Sequence, residues 1–334
     1  MVRTEWTAAD RRGALAVRWG IGRYDYLVEP GLYAIGSPSA ESPVLVTASY
    51  KLTFDMVRRE LIGQSVFVLV LQTMGINVWC AAGKGTFGTE ELCHQIERVG
   101  LGRHVSHRRV ILPQLGAPGV AAHEVRQRTR FRVVYGPVEA RDIPRFLESG
   151  TKATPAMRRK RFPLRDRAAL VPMELVPSLK YGAPLAVALA LVAALVGPAT
   201  GFGENLARHG YIAGLSMLIA IGCGAVLTPL LLPWIPGRAF AVKGALVALF
   251  IGAPLLVGAG ALTNGAAGPP WTDVAGLAAL TLALSSFIAM NFTGSSTYTG
   301  LSGVEREMRI AVPAQLGLAT VGLAGWALSV GLLV

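Results

Sequence analysis

The chain has 334 residues, a formal net charge of +12 at pH 7 and a hydrophobic fraction of 52%. Its mean hydropathy of +0.47 excludes an ordinary soluble globular protein. Residues 1–181 hold 27 Lys and Arg and 16 Asp and Glu, whereas residues 182–334 hold 5 and 4. This division of charge predicts a water-soluble first part and a membrane-embedded second part.

Residues 43–148 alternate between β-rich runs and amphipathic helical segments. The continuously apolar run SVFVLVLQT is typical of a strand that is buried on both faces. The alternation predicts a mostly parallel sheet with helices on both faces. The predicted strands are Pro43–Ser49, Ser65–Thr73, Arg108–Leu115 and Arg130–Val138, and the predicted helices are Leu52–Leu61, Thr89–Leu101, Gly119–Thr129 and Ala140–Ser149.

The loops that follow the four predicted strands are expected to form a ligand site. Ligands of such sheets bind outside the carboxyl ends of the strands, and Gly, Pro, Ser, Thr and amide groups let a backbone approach a flat ligand closely. Ordinary loop composition is the alternative for any single loop. Outside the second loop, the candidate cofactor-binding residues are Thr47, Ser49, Tyr50, Gln114, Gly116, Tyr135 and Gly136.

The second loop contains the stretch NVWCAAGKGTFGT (77–89), in which a cysteine directly follows a tryptophan. Its glycines lack the spacing of a phosphate loop. The three cysteines, Cys80, Cys93 and Cys223, supply neither the four thiolates of an iron–sulfur cluster nor the close spacing of a zinc site. A helix N-terminus and the nearby Lys84 favour a thiolate at Cys80. A core thiol is the alternative there, and core packing is the prediction for the other two cysteines.

Five uncharged apolar stretches follow a basic segment, Thr151–Arg167, which carries seven Lys and Arg. Each stretch reaches the roughly 20 residues that a helix needs to cross the hydrocarbon core of a membrane. A backbone in lipid satisfies its hydrogen bonds internally, which predicts helices; a buried soluble bundle is the alternative. The stretches are Gly182–Gly201, Gly210–Pro233, Gly244–Thr263, Val274–Phe292 and Ile310–Val334.

The positions of the basic residues predict an orientation in the cytoplasmic (inner) membrane. Arg238 and Lys243 follow the second stretch, and Arg306 and Arg309 follow the fourth, whereas the remaining loops hold only Arg208. The first domain, whose start lacks the apolar run of a secretory signal, is therefore expected in the cytoplasm and the C-terminus outside. Cytoplasmic thiols stay reduced, which excludes a disulfide framework. The basic segment is expected to meet anionic lipid headgroups rather than nucleic acid.

The segment Asn77–Lys84 (NVWCAAGK) resembles the cap-helix signature of the corrinoid proteins of mercury methylation, the HgcA family. That signature is Asn, an aliphatic residue, Trp, Cys, Ala, a small residue, Gly and Lys, and every position matches. The first domain is also similar to the corrinoid-binding domain of the corrinoid iron–sulfur protein of the acetyl-CoA pathway. The segment Met290–Arg309 resembles the loop before the last membrane span of the HgcA family.

The resemblance implies an α/β Rossmann-like corrinoid-binding domain (1–150), a basic linker (151–181) and an all-α transmembrane domain of five helices (182–334). It implies a cobalamin-type corrinoid cofactor with Cys80 as the lower axial ligand of cobalt, a soft donor that makes the metal electron-rich. The DxHxxG sequence that supplies a histidine ligand in many cobalamin enzymes is missing. Further implied contacts to the cofactor are Asn77, Val78, Trp79, Ala81, Ala82, Gly83 and Lys84.

The implied activity is that of a methyltransferase that passes a methyl group from methyl-Co(III) corrinoid to Hg(II), forming methylmercury. The expected partners are a methyltetrahydrofolate-linked methyl donor and a ferredoxin-like protein with two 4Fe–4S clusters (HgcB) as reductant, since the chain lacks a four-cysteine cluster segment. A membrane-bound corrinoid methyl carrier of one-carbon metabolism, as in the acetyl-CoA pathway, is the first alternative. A small-molecule transporter is the second, and the scarcity of charge within the spans disfavours it.

Overall fold

The computed structural model describes residues 2–199, 201–264, 271–295 and 301–332. The chain forms two compact units, Met1–Arg161 and Phe162–Val334. Residues 151–161 of the predicted linker belong to the first unit, and an apolar helix begins at Leu164. The finer division, with a linker over residues 151–181, stays a prediction.

The first unit is built on a mixed five-stranded sheet with the strand order β1-β3-β2-β4-β5. The strands β2 to β5 are parallel to their neighbours, whereas β1 pairs antiparallel with β3. Counted along the chain, the four parallel strands lie in the order second, first, third, fourth, so the sheet reverses its direction of growth between β2 and β4. The strands are β1 Gly31–Ile35, β2 Val44–Ala48, β3 Val66–Leu71, β4 Arg109–Leu112 and β5 Arg132–Tyr135.

Helices cover both faces of this sheet because both faces of its central strands are apolar. On one face Val46 and Leu69 pack with Ala81 and Ile96. On the other face Leu45 and Val68 belong to a second core with Phe54 and Phe146. The helices are α1 Ala8–Arg18, α2 Lys51–Arg59, α3 Val78–Lys84, α4 Thr89–Arg98, α5 Ala122–Thr129 and α6 Ile143–Glu148.

The prediction of a mixed α/β domain with these four parallel strands is confirmed, although the strands are shorter than predicted. Strand β4 ends before Pro113 and β5 ends before Pro137, since proline has no N–H for a ladder. Two elements were not predicted: strand β1, whose GLYAI residues are mostly half-buried, and helix α1, which begins with a capping box between Thr7 and Asp10. The description as Rossmann-like stays a prediction.

The second unit contains, within the described residues, five helices long and apolar enough to cross a membrane. This confirms five candidate spans by length and composition. The first helix begins well before the predicted Gly182, since Pro172 and Pro177 lie inside it without ending it. Thr200, residues 296–300 of the predicted loop and the last two residues of the predicted fifth stretch lie outside the described residues. In chain order, the first to fifth apolar helices are Leu164–Val196, Phe202–Leu231, Phe240–Leu262, Trp271–Asn291 and Gly303–Ser329.

Polar side chains in the second unit are buried between these helices. The imidazole of His209 shares a hydrogen bond with one carboxylate oxygen of Asp273, and the hydroxyl of Ser329 donates to the other oxygen. Asp273 is fully buried, and His209 is nearly so. The second, fourth and fifth apolar helices are therefore joined by one polar cluster, the His209–Asp273–Ser329 cluster.

Candidate functional site

The Trp-Cys stretch forms α3, a seven-residue helix fixed at both of its ends. At the start, the Oδ1 of Asn77 accepts a hydrogen bond from the backbone N of Cys80 at 2.9 Å, which is the usual role of an N-cap asparagine. At the end, Gly85 adopts a left-handed conformation with φ 82°, which a residue with a side chain rarely adopts. The Asn and Gly of the sequence thus set the limits of the helix that carries Cys80.

The two faces of α3 have different environments. Successive residues are rotated by about 100° around a helix. Cys80 therefore lies on the side opposite the buried residues Val78, Ala81 and Ala82. Its thiol is free and half-buried, as is the indole before it. Val78, Ala81 and Ala82 are buried in the core of the first unit, Trp79 and Cys80 are half-buried, and Gly83 and Lys84 are exposed.

A tight turn connects β3 to α3. Met74 and Gly75 both have positive φ, at 54° and 69°, and the hydroxyl of Thr73 donates to the carbonyl of Ile76 at 2.7 Å. A Cβ at position 75 would lie 3.1 Å from the carbonyl oxygen of Tyr24. This turn directs the chain abruptly from the carboxyl end of β3 into α3.

The loop after β4 packs directly against α3 as a 3-10 helix, Gln114–Gly119. A Cβ at Gly119 would lie 2.2 Å from the carbonyl oxygen of Phe87 and 3.1 Å from the Cα of Ala82. A Cβ at Gly116 would lie 2.5 Å from the ring of Phe87. Both contacts require glycine, so the loops after β3 and β4 form one continuous edge at the topological switch of the sheet.

The segment that precedes β1 lies over the carboxyl end of β2, a feature that the sequence analysis missed. The backbone N of Val28 donates to the carbonyl of Ser49 at 2.8 Å, and the N of Lys51 donates to the carbonyl of Tyr26 at 2.9 Å. The hydroxyl of Ser49 accepts from the N of Thr73 at 3.0 Å. Ser49 is therefore bonded within the protein on all sides.

The other predicted loop residues differ in what they contact. Tyr50 is buried, with the guanidinium of Arg23 6.0 Å from its ring centre, and burial raises the pKa of its phenol. The hydroxyl of Tyr135 donates to the carbonyl of Val120 at 3.0 Å, and burial raises its pKa too. The Oε1 of Gln114 accepts from Arg158 at 3.1 Å. These side chains already have protein partners.

Thr47 stands apart from these residues. It lies near the carboxyl end of β2, is 1% exposed, and its hydroxyl has no hydrogen-bond partner. Buried hydroxyls without a partner are rare and costly. Gly136, at the end of β5, is also buried, and its backbone N donates to the carbonyl of Leu112 at 2.7 Å. A buried hydroxyl without a partner near the carboxyl end of β2 is an observation that fits a bound group at this edge.

A buried ion-pair network holds α1 against α2, and the sequence analysis missed it as well. The ammonium of Lys51 lies 2.6 Å from carboxylate oxygens of Asp10 and Asp55, and the guanidinium of Arg58 lies 2.7 Å and 2.6 Å from the same two groups. Burial alone would raise the pKa of Asp10, but hydrogen bonds from Lys51, Thr7 and Arg58 hold it well below its usual value. The spacings of residues 51 and 55 and of residues 55 and 58 were the sequence signals for it.

The three cysteines are in different environments. Cys93 is fully buried in the core of the first unit, where burial raises the pKa of its thiol, and Cys223 is buried between apolar helices. Core packing is thus confirmed for these two. Cys80 alone combines a free thiol, partial exposure and a neighbouring half-buried indole. Within the described residues, no three His, Cys, Asp or Glu side chains come together as metal ligands.

The first unit is similar in sequence to known proteins. Residues 23–147 match the family model described as CO dehydrogenase/acetyl-CoA synthase delta subunit. The chain is 34% identical over 123 residues to an acetyl-CoA decarbonylase/synthase complex subunit gamma of Methanopyrus kandleri, covering 36% of the chain and 26% of the relative. It is 32% identical over 121 residues to a corrinoid/iron-sulfur protein large subunit of Moorella thermoacetica, covering 36% and 27%.

The matched part therefore spans about a quarter of the length of these relatives, and it contains α3 with Cys80 and the loops after all four parallel strands. The apolar helices of the second unit lie outside it. The first unit of this chain is therefore similar in sequence to a corrinoid/iron-sulfur protein large subunit and to gamma subunits of acetyl-CoA decarbonylase/synthase complexes.

Proposed function

We propose that the chain is a membrane-anchored protein of corrinoid-dependent methyl transfer, whose first unit carries a corrinoid at the carboxyl ends of its parallel strands. The observation that supports it most strongly is the exposed side of α3. There a free thiol and an indole lie next to each other, in a unit related to a corrinoid/iron–sulfur protein. The corrinoid, when bound, supplies the cobalt that accepts and releases the methyl group.

We assign to Cys80 the role of lower axial ligand of the cobalt. A thiolate is a soft donor and suits a soft, electron-rich metal. Asn77 holds the backbone N of Cys80 and so fixes the first turn of α3, while Trp79 offers a flat surface to a macrocycle. Val78, Ala81 and Ala82 anchor the helix to the core, and Gly83 and Lys84 leave its outer side open.

The surrounding loops supply the remaining contacts in this proposal. We assign contacts with the corrinoid or its side groups to the unpartnered hydroxyl of Thr47, to Gly116 and Gly136, and to the backbone at Gln114. Ser49, Tyr50 and Tyr135 act indirectly, because their partners lie within the protein. They hold the loops in place.

The two candidate activities differ in the acceptor of the methyl group. The printed names of the relatives favour a methyl carrier of one-carbon metabolism. Mercury methylation is the second candidate, because residues 77–84 match the signature of the HgcA family. A thiolate ligand increases electron density at cobalt, which favours transfer to a soft electrophile such as Hg(II). Purified protein supplied with Hg(II) or with a thiol acceptor separates the two activities by the methylated product.

The proposed partners follow from the same resemblance. A ferredoxin-like protein with two 4Fe–4S clusters (HgcB) serves as reductant, and a methyltetrahydrofolate-linked protein serves as methyl donor. We expect the purified chain to stop after at most one turnover when neither a reductant nor this partner is present. Sustained turnover by the chain alone contradicts this part of the proposal.

We further propose that the first unit faces the cytoplasm and that the five apolar helices cross the inner membrane. An odd number of spans places the two chain ends on opposite sides. A reporter fused before Met1 is expected inside and one fused after Val334 outside. Two reporters on the same side would contradict the five-span topology.

The cofactor assignment is tested by comparing two cysteines of the same unit. We expect Cys80→Ala to abolish methyl transfer and to shift the visible absorption of the bound corrinoid, because cobalt loses its thiolate. Cys80→Ser is expected to fail as well, since a neutral hydroxyl is a poor donor. Cys93→Ala is the matched control and keeps the spectrum and most activity. Spectra are recorded at equal corrinoid occupancy, and an unshifted spectrum for Cys80→Ala would refute the assignment.

A further inference from the structure

A cavity of about 990 Å³ lies within the second unit, at one end of the third, fourth and fifth apolar helices. It is lined by residues at the start of the third helix, near the end of the fourth and along the first half of the fifth. Most of its wall is apolar, with residues such as Leu282, Ile310 and Leu318. A cavity of this size is large enough for part of an amphiphilic molecule.

The charged residues of the cavity lie near one end of these helices. Arg238 and Arg306 line it and are exposed. Lys243 is buried, and its ammonium donates to the carbonyls of the loop that follows the second helix. Glu307 is the one carboxylate of the lining, and it accepts from the backbone N of Ala241 at 2.7 Å. The cavity thus holds three cations and one carboxylate, and the carboxylate is already bonded to the protein. The net positive charge at this end of the cavity suits an anion.

The deep part of the cavity contains a buried amide with a free hydrogen-bonding position. Gln315 is 8% exposed, and its Nε2 donates to the hydroxyl of Ser286 at 2.9 Å, while its Oε1 has no partner. Within a membrane an unsatisfied polar group is costly. Residue 315 lies nine positions after Arg306, or about 13 Å along the helix at about 1.5 Å per residue. The polar groups of the cavity are thus separated by an apolar wall along its length.

We propose that this cavity binds an anionic phospholipid, with its phosphate between Arg238 and Arg306 and an acyl chain along the apolar wall. The cationic rim selects the headgroup, because basic side chains at a membrane surface attract anionic lipids. The apolar wall between the two arginines and Gln315 distinguishes the site from a simple phosphate site. No step of the methyl-transfer proposal depends on it.

The experiment uses the full chain in detergent, delipidated and examined by native mass spectrometry. The probes are dioleoylphosphatidylglycerol and dioleoylphosphatidylcholine, which share acyl chains and differ in headgroup charge. We expect the protein to retain the anionic lipid in preference to the zwitterionic one. Equal retention of the two lipids, or displacement of the anionic lipid by millimolar inorganic phosphate, would overturn the proposal.

Two variants and a matched control locate the site. The double variant Arg238→Gln, Arg306→Gln is expected to bind the anionic lipid about 30-fold more weakly, since each basic side chain near an anionic headgroup contributes about 1 kcal/mol. Arg309→Gln removes an exposed arginine three residues further along the same helix, outside the cavity lining, and should bind nearly as well as the parent. An equal loss in this control would assign the effect to general surface charge and overturn the site.

Ala314→Phe keeps every charge and tests the apolar wall of the cavity. We expect weaker binding of both lipids with an unchanged preference for the anionic one, because the larger side chain occupies the space of the acyl chain that the two lipids share. Unchanged binding would overturn the placement of the lipid in the cavity. Size-exclusion chromatography of each variant confirms that the folded chain is being compared.

Discussion

The two units of this protein expose opposite kinds of surface. In the first unit the strands carry the apolar residues inward, and a network of two aspartates, a lysine and an arginine ties α1 to α2. In the second unit many large apolar side chains are exposed, including Leu195, Phe250 and Val321. The first unit is stabilised in water, because the hydrophobic effect drives its apolar residues inward. The second unit suits lipid, because an exposed leucine loses no free energy among lipid tails.

The second unit therefore depends on close backbone contact rather than on hiding apolar area. A Cβ at Gly276 would lie 2.6 Å from the backbone N of Trp326, and one at Gly322 would lie 2.7 Å from the carbonyl of Gly276. Small residues at such crossings are typical of helices that associate in lipid. We therefore expect the same substitution to change the free energy of unfolding by different amounts in the two units. The reason is that the first unit unfolds into water, whereas the helices of the second separate within lipid.

The largest expected effect lies in the ion-pair network of the first unit. Arg58→Met leaves Asp10 and Asp55 buried with less compensation, and we expect the free energy of unfolding to fall by about 3–5 kcal/mol. Arg59→Met is the matched control, because Arg59 is exposed and pairs with Glu60; a loss of about 1 kcal/mol or less is expected there. Urea denaturation of the detergent-solubilised chain, followed by circular dichroism, measures both, and equal losses would contradict the role of the network.

The same network makes the stability of the first unit depend on pH. The pKa of Asp10 is lower in the folded chain than in the unfolded chain, so its contribution is fully present above the unfolded value of about 4 and is lost as pH falls toward the folded value. We expect the urea midpoint to fall between about pH 5 and pH 3. Asp10→Asn should reduce that dependence, and an unchanged slope in this variant would show that other carboxylates cause it.

A comparable substitution in the second unit is expected to have a smaller effect. Asp273→Ala removes the carboxylate of the His209–Asp273–Ser329 cluster and with it one hydrogen bond to each of the other two side chains. Polar contacts between helices in lipid contribute about 0.6–1.7 kcal/mol, and we expect a loss in that range. Ser329→Ala removes one of the two bonds and should cost less. Unfolding in mixed micelles with increasing dodecyl sulfate measures the free energy of unfolding of both variants. A loss as large as that of Arg58→Met would contradict the expected difference between the two units.

The smallest expected difference is between the two buried cysteines. Cys93→Ala should cost about 1 kcal/mol, because a buried side chain loses both its transfer free energy and its contacts. Cys223→Ala should lower the free energy of unfolding by less. In a separated helix, lipid already surrounds the sulfur with apolar groups, so that the substitution removes only packing contacts. The same two denaturation methods measure the pair, and the reverse order would contradict this account.

The sequence predicted those parts of the fold that depend on local pattern. The run Val66–Leu71 was recognisable as a buried strand because its apolar residues are consecutive, and the five apolar helices were recognisable from length and composition. Strand β1 was missed because its five residues are mostly half-buried and gain their strand conformation from pairing with β3. The start of the first apolar helix was misplaced because its prolines do not end it.

In the candidate site, too, local features were predictable from the sequence and contacts between distant residues were not. Asn77 and Gly85, which delimit α3, are readable from capping preferences, and the Trp-Cys pair stood out in the sequence. The segment that lies over β2, through Tyr26 and Val28, has no periodic signal, because its contacts are backbone hydrogen bonds to residues far along the chain. The missing partner of the Thr47 hydroxyl was likewise visible only once its surroundings were placed.

The order of elements along the chain has a consequence for biosynthesis. Every strand pair of the sheet lies between Gly31 and Tyr135, ahead of the first apolar helix. A nascent chain leaves the ribosome from its N-terminus and folds domain by domain, so the sheet has all its strands before Leu164 is translated. A substitution that delays closure of the sheet leaves the valines and leucines of β3 uncovered while the apolar helices emerge. The pace of translation, rather than equilibrium stability, then governs how much correctly assembled protein reaches the membrane.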